Sequence, residues 1–157
     1  MSRSRLVENE SPPVRVVALF FDDARLEVTG KAILIGQYTS EIGIHDPLLL
    51  DRLCVFLDIR WPRDYQPSNL TVRVDIPSQP LPVETELMVP APLDYSNKPQ
   101  SPFSGAVMQG VVQLRFPPLR YNDNIDVWVT VDGHRFAAGR VTIVPPKPPA
   151  PSLAAAV

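Results

Sequence analysis

The sequence predicts an all-β chain, folded as a single-domain two-sheet antiparallel β-sandwich, immunoglobulin-like or jelly-roll-like, with about eight strands. Three observations carry this prediction. Apolar residues in the middle of the chain recur at every second position, the period of a strand with one buried face. Turn-forming residues, proline above all, stand at the ends of these segments. No window longer than about six residues has the spacing of a helix.

Four alternating rows define the centre of the predicted sandwich. Their apolar positions are Leu53, Val55, Leu57, Ile59 and Trp61; Leu70, Val72, Val74 and Ile76; Val112, Leu114 and Phe116; and Ile125, Val127, Val129 and Val131. Pro77 ends the second row and Pro117 ends the third, because proline cannot donate a hydrogen bond to a sheet. We expect these rows to form the core.

A hairpin is expected directly after the fourth row. Asp132-Gly133 accepts the positive φ angles of a type I′ turn, so a two-residue connection leads into a second strand. In that register Val129 faces Phe136 and both point into the core. The alternation is then lost over residues 137–139, as an inserted residue would cause, which predicts a bulge near Gly139.

The early part of the chain is less regular. Residues 14–21 and 31–38 are apolar on both faces, which is typical of strands that are central or covered on both sides. Residues 22–30 are expected to connect them and to carry a short strand of their own. A weak strand is expected at 83–89, and the best helical candidate is 47–53, with proline at its first position.

Proline also marks the predicted boundaries. The chain has 19 prolines in 157 residues, more than twice the roughly 5% usual in soluble proteins. Residues 1–13 are expected to be a flexible leader, residues 14–144 the sandwich domain, and residues 145–157 a disordered Pro/Ala-rich tail. Residues 90–106 are expected to form a long loop rich in proline and serine.

Composition excludes several classes of function. With 15 basic and 17 acidic residues the net charge is −2, so no electrostatic footprint for nucleic acid is expected. The apolar runs are far shorter than the roughly 20 residues of a membrane helix, so no membrane partner is expected. The single Cys54 cannot close an intramolecular disulfide. The first residues lack the apolar core of a secretory signal, which predicts a cytoplasmic protein.

Motifs of the common enzyme classes are absent: the sequence has no GxSxG, HExxH, GxxxxGK[ST] or CxxC. Cys54 is expected to be a small buried hydrophobic residue rather than a reactive thiol. His45 and His134 are expected to face solvent and define no spacing with each other. We therefore assign no catalytic, cofactor-binding or metal-binding residue, and we expect a protein that is not an enzyme.

The adjacent carboxylates Asp22 and Asp23 follow the first apolar segment. Successive side chains of a strand point to opposite faces, so the two cannot share a ligand unless the chain turns there. One alternative is that one of them caps a turn or pairs with Arg25 or Lys31. The other is that both belong to a metal site, with calcium as the candidate ion.

Trp128 is the clearest candidate recognition residue, because flat rings stack on sugars or anchor protein interfaces. It is expected on the outer face of its strand, opposite Ala137, whose small side chain leaves the ring partly uncovered. Either the loop at 90–106 folds over the ring, or the ring contacts a ligand or partner. The other aromatic residues at outward or loop positions are Tyr65, Tyr95, Phe103 and Tyr121.

Residues 20–38 read FFDDARLEVTGKAILIGQY, and their pattern is an apolar strand, Asp22-Asp23, Arg25, Gly30-Lys31, an apolar run, Gly36 and Tyr38. This pattern resembles the opening of an uncharacterised family of small bacterial β-sandwich proteins, known only as a domain of unknown function. In that family a cysteine often precedes the two aspartates, whereas this sequence has Phe21 there. The resemblance implies a sandwich fold and no particular activity.

The same motif has a physical interpretation. Gly36 allows a large side chain or another backbone to approach closely, and Tyr38 can place its ring on the core with its hydroxyl in water. Asp22 and Asp23, beside Arg25 and Lys31, would then form a polar network that fixes the first hairpin.

These observations favour a non-catalytic binding or assembly module with an unidentified protein partner or with itself. Two alternatives stay open. One is a structural subunit of a larger particle, of the phage or secretion type, in which edge strands pair with further copies. The other is a hydrolase or metal-dependent enzyme that uses Asp22, Asp23 and a histidine.

Overall fold

The structure is a computed structural model that describes residues 12–28, 31–50, 52–62, 64–89, 91, 105–115 and 118–147. Within these residues it contains one short 3-10 helix and nine strands. The strands are β1 (Arg15–Leu26), β2 (Ala32–Tyr38), β3 (Glu41–Gly43), β4 (Arg52–Pro62), β5 (Leu70–Asp75), β6 (Val83–Leu87), β7 (Gly105–Arg115), β8 (Asn124–Val131) and β9 (His134–Val144). The all-β prediction is confirmed, with nine strands in place of about eight.

The strands form two sheets. One has four strands in the order β2-β1-β4-β7, and the other has five in the order β3-β9-β8-β5-β6. All pairings are antiparallel except that of β3 with β9, which is parallel. The predicted two-sheet, mostly antiparallel sandwich is therefore confirmed. No helix among the described residues has the length and apolar character that crossing a membrane requires.

The core lies between the sheets and includes the predicted alternating rows, apart from Phe116, which lies outside the described residues. The inward residues of β4 and β8, such as Leu57 and Val129, are at most 2% exposed. The row of β5 is equally buried, and its last member, Ile76, is 6% exposed. On β7, the inward residue Leu114 is 3% exposed. These side chains are removed from water because their partners on the facing sheet cover them, and the resulting burial stabilises the sandwich.

The β8–β9 hairpin has the predicted register, with Val129 opposite Phe136. Both turn residues have positive φ, 47° at Asp132 and 86° at Gly133, as a type I′ turn requires. The predicted bulge is also present: Trp128 pairs with Ala137, Val127 pairs with Gly139, and Ala138 is the extra residue. This shift restores the inward direction of the apolar residues that follow.

The glycine of this bulge has a packing role. A Cβ atom at Gly139 would lie 2.8 Å from the backbone oxygen of Ala18 on β1, in the opposite sheet. Only a residue without a side chain allows the two backbones to come this close. The bulge therefore also sets the separation of the sheets where β9 crosses β1.

The first strand differs from its prediction. Residues 22–26 do not begin a connection; they continue β1 without interruption to Leu26. The reason is that β2 pairs with this whole segment, for example Asp23 with Ile35 and Arg25 with Ile33. A polar residue ends a buried face, but it does not end a strand that still has a hydrogen-bonding neighbour.

Several shorter elements also differ. The helical candidate at 47–53 is only a 3-10 turn, Pro47–Leu49, capped by Asp46, because β4 begins at Arg52. β6 ends at Leu87, two residues before the predicted end. β7 begins at Gly105 and is longer than the row that predicted it, so the predicted loop at 90–106 is shortened at its end.

β3 was not predicted, since three residues give no measurable alternation. It pairs with the end of β9, and Ile42 at its centre is 1% exposed. The first residues of the predicted tail follow this contact, and Lys147 Nζ lies 2.9 Å from the Glu41 carboxylate. Most of the predicted tail, all but the last two residues of the leader, and most of the 90–106 loop lie outside the described residues.

Candidate interaction surfaces

Asp22, Gly36 and Tyr38 meet at the end of the β1–β2 hairpin. The Tyr38 hydroxyl donates a hydrogen bond to Asp22 Oδ1. Gly36 has a φ of +68°, and a Cβ atom there would lie 1.9 Å from Asp22 Oδ2, so the glycine leaves the space that the carboxylate occupies. Burial and the bond to Asp22 raise the pKa of Tyr38 to about 12. The predicted close approach at Gly36 is thus that of the Asp22 side chain.

Asp23 has separate partners. Its Oδ2 lies 3.0 Å from Arg25 Nε, and its Oδ1 accepts a hydrogen bond from the backbone of Ala24. The bond to Arg25 lowers the pKa of the Asp23 carboxyl. The predicted pairing with Arg25 is therefore present, whereas exposed Lys31 contributes its backbone oxygen, which accepts from Glu27 N at 2.8 Å.

The sequence also allows Asp22 and Asp23 to be members of a metal site. Because β1 is extended here, Asp22 and Asp23 lie on opposite faces of the strand, as the spacing predicts. Across the described part of the chain, no group of three or more His, Cys, Asp or Glu side chains is placed to hold a metal ion. His45 is exposed and His134 is half-buried. Cys54 is 2% exposed, which confirms the predicted buried thiol.

The outer face of the five-stranded sheet is crossed by ion pairs, and we call it the ionic face. Its members are Arg73, Asp75, Glu84, Asp126, Trp128, Arg135 and Arg140. Asp75 accepts from Arg73 and from Arg135, each at 2.8 Å. Arg140 holds Asp126 through two nitrogens, with Nη2 at 3.2 Å from Oδ2. Each charged residue in this set has an opposite charge within 4 Å.

Trp128 lies half-buried at the centre of the ionic face. The Arg135 guanidinium carbon is 4.1 Å from the centre of the indole ring, a cation–π contact. Asp75 holds Arg135 in this position. Trp128 thus receives part of its cover from Arg135 on the neighbouring strand β9. The loop at 90–106, one of the two alternatives for covering the ring, lies mostly outside the described residues. A shallow depression beside the ring is lined by Ala137 and the bulge residues.

The outer face of the four-stranded sheet has the opposite character, and we call it the apolar face. Its members are Val17, Leu19, Phe21, Ile33, Ile35, Cys54, Phe56 and Val111. Leu19, Phe56 and Val111 form one row across three strands and are all half-buried. Ile33 and Ile35 on β2 are each 42% exposed. Apolar side chains therefore form a row across β1, β4 and β7 on the side away from the core, and on β2 Ile33 and Ile35 stand opposite Arg25 and Asp23.

Charged residues border the apolar face at one end. Asp58 accepts from Arg60 Nε at 2.6 Å and from Gln109 Nε2 at 3.0 Å. The bond to Arg60 lowers the pKa of the Asp58 carboxyl. Arg15 lies on the same edge, and the three charged side chains line a shallow depression together with Val17 and Leu19. The patch is thus apolar at its centre and polar at this rim.

The sequence indicated no interaction surface at these positions, although Phe21, Ile33 and Ile35 belong to the motif at residues 20–38. The available signal was that residues 14–21 and 31–38 are apolar on both faces. That signal correctly indicates β1 as a central strand. It is wrong for β2, which is an edge strand with two isoleucines exposed. The second apolar face of β2 is therefore part of an exposed surface, and no described element covers it.

Asp132 is a structural site that the sequence indicated only as a turn. Its Oδ1 accepts hydrogen bonds from the backbones of Ser68 and Asn69, each at 2.8 Å, and its Oδ2 accepts from the Tyr65 hydroxyl at 2.5 Å. The bond to Tyr65, followed by the two backbone bonds, lowers the pKa of Asp132. Burial and Asp132 raise the pKa of Tyr65 to about 12. This turn therefore anchors the segment that leads into β5.

Tyr121 makes a similar anchor at the other end of the sandwich, where its hydroxyl donates to the backbone oxygens of Ile44 and His45. Both predicted loop aromatics that the structure describes, Tyr65 and Tyr121, thus bind other parts of the chain. Tyr95 and Phe103 lie outside the described residues.

A comparison with known proteins finds no family model that matches this chain and no curated protein with significant sequence similarity to it. The resemblance in residues 20–38 therefore stays a prediction. What the chain does has to be argued from its own surfaces.

Proposed function

We propose that this chain is a non-catalytic binding or assembly module that contacts a protein partner through the apolar face. One observation carries the proposal: among the described residues, ion pairs cross the outer face of the five-stranded sheet, whereas on the four-stranded sheet they stand towards the two ends of the outer face, as Asp58–Arg60 and Asp23–Arg25, and leave the apolar row of Leu19, Phe56 and Val111 between them. Contiguous apolar residues that face away from the core and have a polar rim are typical of protein contact surfaces.

The details of the face support this function. Leu19 and Phe56 lie side by side in adjacent strands, and Val111 follows on the third. These side chains come from the middle of paired strands, so their positions are set by the sheet and little ordering is required when a partner binds. Ile33 and Ile35 add exposed apolar surface at one edge.

The alternative of a hydrolase or metal-dependent enzyme is supported less well. Asp22 is bound to Tyr38, and Asp23 is bound to Arg25. A general base or nucleophile requires a group that is free to reach a reacting atom. Each of these two carboxylates already has a structural partner within the hairpin that it holds together.

Site-specific photo-crosslinking tests the proposal. A photoreactive residue replaces Leu19 on the apolar face in one variant and Thr130 on the outer side of the five-stranded sheet in a matched variant. Both are expressed in the source cell and irradiated. We expect discrete crosslinked products from position 19 and none from position 130, because only the first position lies in the contact surface.

The control keeps the probe at position 19 and adds Phe56→Asp, which introduces a charge beside it. The crosslinked products should then disappear, while the thermal unfolding of the purified variant shows that it is still folded. Equal crosslinking from positions 19 and 130, or none from position 19, would contradict the proposal.

A further inference from the structure

The four outermost strands of the two sheets differ in how well their edges are protected. β3 has only three residues, and exposed Glu84 and Glu86 lie on β6. The positive φ of Gly36 interrupts the extended backbone of β2. Short length, charge and local distortion are the devices by which proteins prevent an edge from pairing with another chain.

β7 has none of these devices. It is 11 residues long, reads GAVMQGVVQLR, and has its one charged residue, Arg115, at its last position. It pairs with β4 along its entire length, from Arg115 opposite Arg52 to Gly105 opposite Pro62. Among the strands that the structure describes, it has no neighbour on its other side. A long edge strand whose single charge lies at its last position is a template for a further strand.

The sequence of β7 fits a second copy of itself. In an antiparallel pair centred on Gly110, this glycine lies opposite its own copy, Met108 lies opposite Val112, and Gln109 lies opposite Val111. Met108 and Val112 both pack against the core, so core-facing residues meet core-facing residues. A Cβ atom at Gly110 would contact nothing within 4 Å, so a side chain introduced at the centre of the pair meets no described atom.

We propose that two copies of this chain pair through β7 in an antiparallel arrangement about a two-fold axis at Gly110. The two four-stranded sheets then form one continuous sheet of eight strands, and the two apolar faces become one surface. The proposal rests on the proposed function, since it identifies the assembly in which the apolar face is presented. The pairing itself needs only the backbone of β7 and the match of its two faces.

Charge substitutions at positions 109 and 111 test this register by sedimentation equilibrium of the full chain. These positions face outward and oppose each other twice in the dimer. Gln109→Lys/Val111→Lys places like charges opposite each other and should weaken association at least about tenfold. Gln109→Lys/Val111→Glu places opposite charges there, so it should associate within about threefold of the unmodified chain and weaken as salt is added.

The two variants are matched within the chain. Both place a lysine beside Asp58, which already accepts a hydrogen bond from Gln109 at 3.0 Å. Both place one charge at position 111, next to Phe56. They differ only in the sign of that charge, so a common loss of folding would affect them equally. Thermal unfolding of each variant confirms that the comparison is made between folded proteins.

Disulfide crosslinking provides a second measurement. Gly110→Cys places two thiols across the proposed axis, within reach of a disulfide. Gln113→Cys, on the same strand, places them six residues apart along the pair, about 20 Å. We expect an oxidised dimer from the first variant only. Cys54 does not compete, because it is 2% exposed.

The two-fold pairing is overturned by a chain that is monomeric up to about 1 mM, by equal association of the two charge variants, or by equal disulfide formation at positions 110 and 113. Species larger than a dimer that form through β7 would also overturn it, because a two-fold pair is closed. A monomer whose apolar-face probe still crosslinks to another protein would refute the pairing and leave the proposed function in place.

Discussion

The outer face of the five-stranded sheet and the outer face of the four-stranded sheet differ in how their side chains are satisfied. On the ionic face, arginines reach across strands to aspartates, and Arg135 also covers Trp128. On the apolar face, Leu19 lies opposite Phe56 and Phe56 lies opposite Val111, and no ion pair crosses this row. The core between the two sheets already stabilises the sandwich. We therefore relate the difference between the two outer faces to contacts with other molecules.

Ion pairs and apolar residues on the two outer faces also differ in how they contribute to the free energy of unfolding. Exposed ion pairs contribute about 0–1 kcal/mol each, because water and salt screen them. A half-buried apolar residue contributes through the area that it already covers and leaves the rest in water. Four sets of substitutions test this difference between ion pairs and apolar contacts, from the largest expected effect to the smallest.

The largest effect should separate the two sides of β4. Leu57 is 1% exposed and faces the core, so Leu57→Ala should lower the free energy of unfolding by about 3 kcal/mol. Phe56 is the next residue and faces outward, so Phe56→Ala should cost about 1 kcal/mol. Urea unfolding of the two variants measures the difference. Equal losses would mean that the apolar face is interior and not a surface.

The second effect concerns the Asp132-Gly133 turn, which joins β8 to β9 in the five-stranded sheet. Asp132→Asn keeps a residue that suits the turn but removes the charge that accepts three hydrogen bonds. We expect a loss of about 1.5 kcal/mol in the free energy of unfolding. Tyr65→Phe and the double variant complete a cycle, in which the two losses should not add. Strict additivity would show that the Tyr65–Asp132 bond contributes nothing.

The third effect tests the ionic face directly. Asp75→Asn releases both Arg73 and Arg135, and it should lower the free energy of unfolding by about 1 kcal/mol at low salt. The loss should shrink as salt is added, because screening already weakens these pairs in the unmodified chain. Leu19→Ala on the apolar face is the control, and its loss should not depend on salt. A salt-independent effect of Asp75→Asn would contradict the ionic description.

The smallest effect is the pH dependence at the rim of the apolar face. The pKa of Asp58 is lowered from its ordinary value of 3.8 by Arg60, so its charged form is favoured in the folded state. The resulting stabilisation is complete above the ordinary pKa and is lost as the pH falls through the lowered one. It should amount to about 0.3 kcal/mol because the pair is partly solvated.

Unfolding measured from pH 6 to pH 2, a range chosen to span the titration of carboxyl groups, checks this prediction. Asp58→Asn should reduce the loss of stability at low pH, and Arg60→Gln should reduce it by a large part of that amount, since Arg60 is the main cause of the lowered pKa and Gln109 a lesser one. If Arg60→Gln leaves the low-pH loss unchanged, Arg60 is not the cause of the lowered pKa.

Much of the fold follows from residues taken a few at a time. The alternation of Ile125, Val127 and Val129 identifies one buried face, because a side chain two residues along a strand returns to the same side. The turn at Asp132-Gly133 and the bulge near Gly139 follow in the same way from local backbone preferences. Each of these predictions depends on residues that are neighbours in the chain.

The candidate surfaces could be predicted only in part. The motif at residues 22–38 contains Asp22, Gly36 and Tyr38, yet their contact depends on β1 and β2 pairing in one register. The row of Leu19, Phe56 and Val111 joins three strands that are far apart in the chain. A local sequence pattern does not predict such a row, because the hydrophobicity of a segment does not identify the strands that lie beside it.

The sequence by itself thus determined the β class, the inward rows, the hairpin register and the position of the bulge, since strand period and turn geometry are local properties of the chain. The tertiary structure decided which strands became neighbours and which lay at the edges. It also decided that one outer face closed with ion pairs while the other stayed apolar. Those outcomes depend on long-range pairing, in which side chains from distant segments are placed next to each other only when the sheets have formed.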